Sequence, residues 1–158
     1  MKIAIRKGFS FGLTSAVITT LGIIVGLSAS TQSKVAVVAG ILSIAIADAF
    51  SDALGIHISE ESELNKAPKN QWLAALSAFL TKFIFALTFI LPILFLTDEQ
   101  AIIISLIWGL GLLTIFSYYL AKKQKIQPWK AIAEHVLIAI AVITITQLVG
   151  QWIRQFFI

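Results

Sequence analysis

Residues 35–58 read VAVVAGILSIAIADAFSDALGIHI, an apolar run with two aspartates set inside it. As a helix it is long enough to cross a bilayer, whose hydrocarbon core of roughly 30 Å takes about 20 residues. Four more runs of this kind flank it, approximately Phe9 to Ala29, Trp72 to Leu96, Ala101 to Ala121 and Ile132 to Ile153. The polar breaks between them, Ser30 to Lys34, Ser59 to Asn70, Thr97 to Gln100 and Lys122 to Lys130, are too short for a soluble domain. The expected fold is therefore all-α: a polytopic membrane helix bundle of five transmembrane helices, forming a single transmembrane domain over residues 1–158. The chain shows no internal repeat.

Composition points the same way. Hydrophobic residues make up 58% of the chain and charged residues 13%, with a mean hydropathy of +0.93. A soluble domain carries a charged surface several times richer. Cysteine is absent, which excludes disulfides, thiolate metal sites and cysteine nucleophiles. Lys2, Arg6 and Lys7 ahead of an apolar stretch, with Ser28-Ala29-Ser30 after it, imitate a cleavable secretory signal. The run from Phe9 to Leu27 is nevertheless long enough to span, and further spans follow, so it reads as an uncleaved first helix.

The net charge of +4 needs no nucleic acid to explain it. With the N-terminus inside, the inner segments hold Lys2, Arg6, Lys7, Lys66, Lys69, Lys122, Lys123, Lys125 and Lys130, and the outer ones only Lys34 and Arg154. Basic residues gather on the cytoplasmic side of membrane proteins. The expected topology is therefore N-terminus cytoplasmic and C-terminus outside, in a prokaryotic plasma membrane. Trp72, Trp129 and Trp152 sit near segment ends as interfacial anchors, and Trp108 lies deeper. Pro92 is expected to kink the third helix, because it removes a backbone donor.

Asp48 and Asp52 are the residues that a membrane span does not tolerate idly. An ionised carboxylate at mid-bilayer costs about 3 kcal/mol or more, so such groups face a partner or a wet cavity. Four residues apart, they share one helix face, and Ala45, Gly55 and Ser59 continue that stripe. Asp48 is expected near mid-membrane and Asp52 one turn nearer the cytoplasm. Beyond them come His57, Glu60, Glu61 and Glu63, with His57 three residues from Glu60 and four from Glu61. This ladder of oxygen ligands with one imidazole suits hard or borderline divalent ions such as Mn²⁺, Fe²⁺ or Zn²⁺. Carboxylates at such depth also serve proton relays. The candidate metal ligands are Asp48, Asp52, His57, Glu60 and Glu61.

An architectural reading stands beside this one. Lys82, in the third run, lies at a depth close to that of Asp48, and a salt bridge between them would satisfy both charges with no transport at all. One carboxylate would still lack a cation. Glu63 reads as a solvated charge, and His57 equally as a cation favoured by a helix C-terminus. Glu134 and His135 mark the start of the fifth helix and are expected to face the same cytoplasmic vestibule. In the first run, Ser15, Thr19, Gly22 and Gly26 form a small-residue face. Gly22 and Gly26 make a GxxxG that allows close helix approach or dimerisation. Thr14, Thr19 and Thr20 either line a polar path or bond back to their own helix.

The stretches Phe11 to Leu27 (FGLTSAVITTLGIIVGL) and Ala39 to Ser51 (AGILSIAIADAFS) resemble the first and second helices of the vacuolar iron transporter family. Five helices, an inside N-terminus and a proline late in the third helix are also similar. The resemblance implies a homodimer that exports cytosolic Fe²⁺ or Mn²⁺ in exchange for protons. Asp48 stands where that family has a glutamate. Ser15 stands where it has an aspartate, followed by Ala16 in place of glycine, and Asp52 offers the charge that Ser15 lacks. The only methionine is Met1, so no thioether lies near the pore. The break from Ser59 to Asn70 is too short for the family's helical metal-binding insert, leaving His57 and the nearby glutamates in its place.

These residues together lead to the expectation of a homodimeric, proton-coupled exporter of Fe²⁺ or Mn²⁺, with Zn²⁺ within the same chemistry and no permanently bound cofactor. Its path would run beside helices one and two, past Ser15 and Thr19, with Lys82 as internal counter-charge. The alternative is a non-transporting membrane scaffold or subunit built on an Asp48–Lys82 pair. An enzyme is not expected: no histidine lies within the bilayer core, and HExxH and GxSxG are absent.

Overall fold

The computed structural model describes residues 2–63 and 67–157; Met1 and Lys66, both used above, lie outside the described residues. Five helices are long and apolar enough to cross a membrane: α1 Lys2–Thr31, α2 Lys34–Glu61, α3 Pro68–Phe95, α4 Asp98–Gln124 and α5 Pro128–Phe157. No strand occurs among the described residues.

Each helix overruns at one or both ends the apolar stretch that reveals it, because hydropathy marks the part in lipid while caps and prolines mark where the helix stops. α1 begins at Lys2 rather than Phe9, since nothing from Lys2 to Gly8 breaks a helix. α2 starts after Ser33, whose hydroxyl accepts the Ala36 N–H (3.3 Å). α3 and α5 each start on a proline, Pro68 and Pro128, which loses nothing in the first turn. α4 opens with a reciprocal cap between Thr97 and Gln100.

Two helices carry interruptions. In α3 the regular winding stops at Thr88 and resumes at Ile90. The Phe89 N–H turns back to the Ala86 carbonyl (3.2 Å). The cause is Pro92, as expected, acting one turn upstream: it has no N–H to give the Thr88 carbonyl and its ring crowds that turn. The Thr88 hydroxyl donates to the Phe85 carbonyl (2.6 Å) and accepts the Trp108 indole N–H (3.1 Å), tying the weak point to α4. In α2 a π-helical turn spans Ile44–Asp48, with the Ala49 N–H reaching the Ile44 carbonyl. Nothing in the apolar pattern foretells it. Turns of this kind concentrate at functional sites.

α1 is the hub, packing against all four other helices and most heavily on α3 and α5. Both seams are made of small residues. Toward α5, a Cβ on Gly22 would lie 3.2 Å from Val142 and one on Gly26 3.4 Å from the Thr146 carbonyl oxygen. The Gly22/Gly26 motif thus serves close approach within one chain. Toward α3, Gly8 sits against the Ala74 carbonyl, and a Cβ on Gly12 would come within 2.5 Å of the Ala78 carbonyl oxygen. Gly8 and Gly12 are a second GxxxG, matched by Ala74 and Ala78 on α3, and the sequence reading passed over it. Without a hydrophobic drive between helices in lipid, such close backbone contact is a main source of packing energy. Between Gly12 and Gly26, Leu13, Val17, Leu21 and Ile24 of α1 fill the core with Ile41, Phe89, Ile93 and Leu113.

The expected outcome for Gly12→Ala is a loss of about 1–3 kcal/mol in stability from overpacking against α3. Gly111→Ala, with nothing within 4 Å of the added carbon, is expected to be neutral or to gain up to about 1 kcal/mol from helix propensity. Thermal unfolding of the purified variants in one detergent distinguishes the two.

Candidate functional site

Ser15, Asp48 and Lys82 stand near the midpoints of α1, α2 and α3, and the bundle brings them together. Lys82 is fully buried. Its ammonium donates to the carboxylate of Asp48, to Asp52 Oδ2 at 2.5 Å and to Ser15 Oγ at 2.8 Å. An ammonium has three protons, and here each has an acceptor. Ser15 in turn donates its own hydroxyl proton to Asp52 Oδ2 (2.7 Å). Lys82, Ser15 and Asp52 form a closed hydrogen-bonded ring, and Asp48 joins it through the ammonium, so that the cluster of four side chains draws on three helices. The Asp52 side chain is 16% exposed and that of Asp48 35%, so the carboxylates form the accessible side and the ammonium the inner one.

Charge is not balanced in this ring. One ammonium faces two carboxyl groups, which leaves one carboxyl to be met by a proton or by a second cation. Ser15 supplies hydrogen bonds but no charge. Asp52 lies directly against it and carries the carboxylate on that side of the ammonium. The π-helical turn ends on Asp48, just before the regular winding that keeps Asp48 and Asp52 one turn apart.

The rest of the ladder does not converge. His57 turns toward α3 and packs against Trp72, ring centroids 4.3 Å apart and planes tilted by 41°, and its Nδ1 is buried without a hydrogen-bond partner among the described residues. Glu60 turns toward α1 and is 5% exposed, its carboxylate 2.8 Å from the Lys7 ammonium. Lys7 also reaches Glu63 at 3.0 Å, so Glu63 is ion-paired rather than merely solvated. Glu61 is exposed. No group of three or more His, Asp or Glu residues stands close enough to hold an ion among the described residues. The five candidate ligands therefore divide into the aspartate pair at mid-membrane and three separate groups near the helix end. His57 does not cap the helix, which winds on to Glu61 and ends at Ser62.

The threonines of α1 bond back to their own helix: Thr14 to the Ser10 carbonyl (3.0 Å) and Thr19 to the Ser15 carbonyl (2.8 Å). Thr20 is buried with its hydroxyl unpaired among the described residues. On α5, Glu134 is exposed, and His135 Nδ1 lies 2.7 Å from Ser117 Oγ. The Ser117 hydroxyl also lies 2.6 Å from the Leu113 carbonyl; while it donates there, the contact with His135 requires the proton on Nδ1.

The sequence reading placed Lys82 at the depth of Asp48 but missed that it bridges both aspartates and that Ser15 closes the ring. The one signal for this was arithmetic: a lone lysine in the third span must find its acceptors on neighbouring helices at the same level.

A family model described as the VIT family matches residues 52–151. The match takes in Asp52 and Lys82 and leaves Ser15 and Asp48 outside it. No curated protein matches the chain.

Replacing the lysine by a residue of similar length without charge, Lys82→Met, strands two carboxyl groups in the bundle. The expected loss of stability is about 3–5 kcal/mol, the cost of removing one partner from a buried ion pair. Adding Asp52→Asn to Lys82→Met is expected to recover part of it. Thermal or denaturant unfolding in detergent measures both.

Proposed function

The chain belongs to the VIT family, and from that premise we propose that it carries a divalent metal cation of the Fe²⁺ or Mn²⁺ kind out of the cytosol in exchange for protons. It is an integral membrane protein, and its family moves metal ions across membranes. The observation that carries the finer reading is the cluster of Ser15, Asp48, Asp52 and Lys82, in which two carboxyl groups share one ammonium midway along the spanning helices. Oxygen ligands of this kind suit hard and borderline divalent ions. A divalent ion entering between the aspartates would take the place of the ammonium, and Lys82 would swing toward Ser15 as the displaced counter-charge. When the ion leaves, a proton or the lysine restores the balance, which is the competition an antiporter needs. His57, Glu60 and Glu61 would serve the cytoplasmic mouth one at a time, since they do not form one site. The basic end of the bundle would face the cytoplasm of a prokaryotic cell, the C-terminus would lie outside, and two copies would form the working dimer.

A second reading has its own observation in favour. Lys82 is fully buried with all three protons engaged, which is how a structural ion pair is built. The chain would then be a membrane scaffold or subunit that moves no ion.

Flux of Mn²⁺ or Fe²⁺ into proteoliposomes separates the two. The native chain is expected to conduct, and Asp48→Asn with Asp52→Asn to lower the flux by about tenfold or more, because the ion then lacks charged ligands in the hydrocarbon. Equal flux from both proteins would sink the assignment of the aspartates. Absence of flux from the native chain would favour the scaffold.

A further inference from the structure

At the end of the bundle where α1 begins and α4 finishes, a cavity of about 500 Å³ opens between these two helices. Its lining changes character along its length. Lys2 of α1 and Lys123 of α4 stand at the outer end beside Ile3; Arg6 and Leu120 follow about a turn in, and Phe9 and Phe116 stand deepest. From Lys2 to Phe9, and from Lys123 back to Phe116, the helices descend about 10 Å. Phe9 and Phe116 meet edge-to-face there, centroids 5.9 Å apart. The groove is thus cationic at the level of a membrane surface and apolar one to two turns below it.

No acidic residue lines the groove. The acids of this end are engaged elsewhere: Glu60 and Glu63 on α2 pair with Lys7, which leaves α1 on another side. Lys2, Arg6 and Lys123 have no carboxylate partner among the described residues. Lys123 is held instead over the ring of Tyr119, 5.6 Å from its centroid, a cation–π contact that keeps the ammonium at the rim. The cavity of about 650 Å³ at the opposite end differs, with Arg154 as its one cation among glutamines.

We propose that this groove binds one anionic phospholipid, its phosphate among Arg6, Lys123 and Lys2 and an acyl chain laid along Phe9, Phe116 and Leu120. Three cations with no carboxylate partner among the described residues, reaching down to an apolar trough, match the charge and the shape of such a lipid, and basic pockets between transmembrane helices are suited to this ligand. A soluble anion would use the cations and leave the trough empty. The site is separate from the aspartate ring and stands whether or not the chain transports metal.

The test uses the full chain in a neutral detergent, with phosphatidylglycerol or phosphatidylcholine of identical acyl chains, and native mass spectrometry to count retained lipid. Phosphatidylglycerol is expected to be retained about tenfold better, and Arg6→Gln with Lys123→Gln to lower its retention about fivefold, from the loss of surface charge next to the headgroup. Lys125→Gln with Lys130→Gln removes equal charge from the same end outside the groove, and is expected to change retention by less than about twofold. Equal retention of the two lipids overturns the site. So does an equal loss in the control pair, which would mean a diffuse surface field, or full displacement by millimolar inorganic phosphate, which would mean a headgroup-only site.

Discussion

A lysine at the middle of a bilayer must be given acceptors by its own protein, and the arrangement of α1, α2 and α3 follows from how Lys82 obtains them. α1 contributes Ser15, and α2 contributes Asp48 and Asp52 from successive turns. The seam between α1 and α3 sets the register: Gly8 lies against Ala74 and Gly12 against Ala78, and the next turn along both helices brings Ser15 to Lys82. Small residues here do more than allow close packing. A side chain on Gly12 would hold the backbones apart one turn below the ring and move Ser15 from the ammonium. Packing and electrostatics in this part of the molecule are therefore one constraint, since the seam that lowers the energy through contact also closes the hydrogen-bonded ring.

The same ring explains why a carboxylate pair is compatible with this position. Two aspartates a turn apart on one helix repel, and in hydrocarbon no water relieves them. The Lys82 ammonium between them offsets that repulsion, while Ser15 donates to Asp52. What remains is the imbalance of one charge. A scaffold gains nothing from such a residue of charge, whereas a site that exchanges ions needs it, because a fully neutral ring would have no reason to admit a cation. This is why the metal reading is preferred over the architectural one although the salt bridge expected of the latter is present.

Much of this was legible in the residues. Five apolar runs of spanning length gave five helices, because hydropathy over some 20 residues is a strong signal. Pro92 gave the interruption of α3, through a missing donor that no context restores. Asp48, Asp52 and Lys82 stood out because each is costly where it lies. The lower ladder failed for a geometric reason: spacing of three and four places residues on one side of a helix, but the neighbours on that side decide where each turns. Trp72 drew His57 to α3, and Lys7 drew Glu60 to α1. The π-helical turn before Asp48 left no trace in composition, since Ile44 to Asp48 reads as ordinary helix. Gly8 and Gly12 were visible as a motif, but Gly8 precedes the apolar run that begins at Phe9, so hydropathy does not show that the two share one helix face.

The unequal exposure of the ring gives the transport reading a direction of approach. Asp48 is the most open member, Asp52 less so, and Lys82 not at all. A cation reaching the ring meets carboxylate oxygen before it meets ammonium, so attraction acts first and repulsion only once the ion is partly coordinated. The ammonium cannot leave toward solvent by the same route, because the aspartates stand in it. Ser15 is the acceptor left to it, and its hydroxyl is free to receive the ammonium fully once Asp52 has turned to the ion. On that reading, exchange at this site would be a rearrangement of hydrogen bonds among four side chains, and it would require no opening of the close seam between α1 and α3.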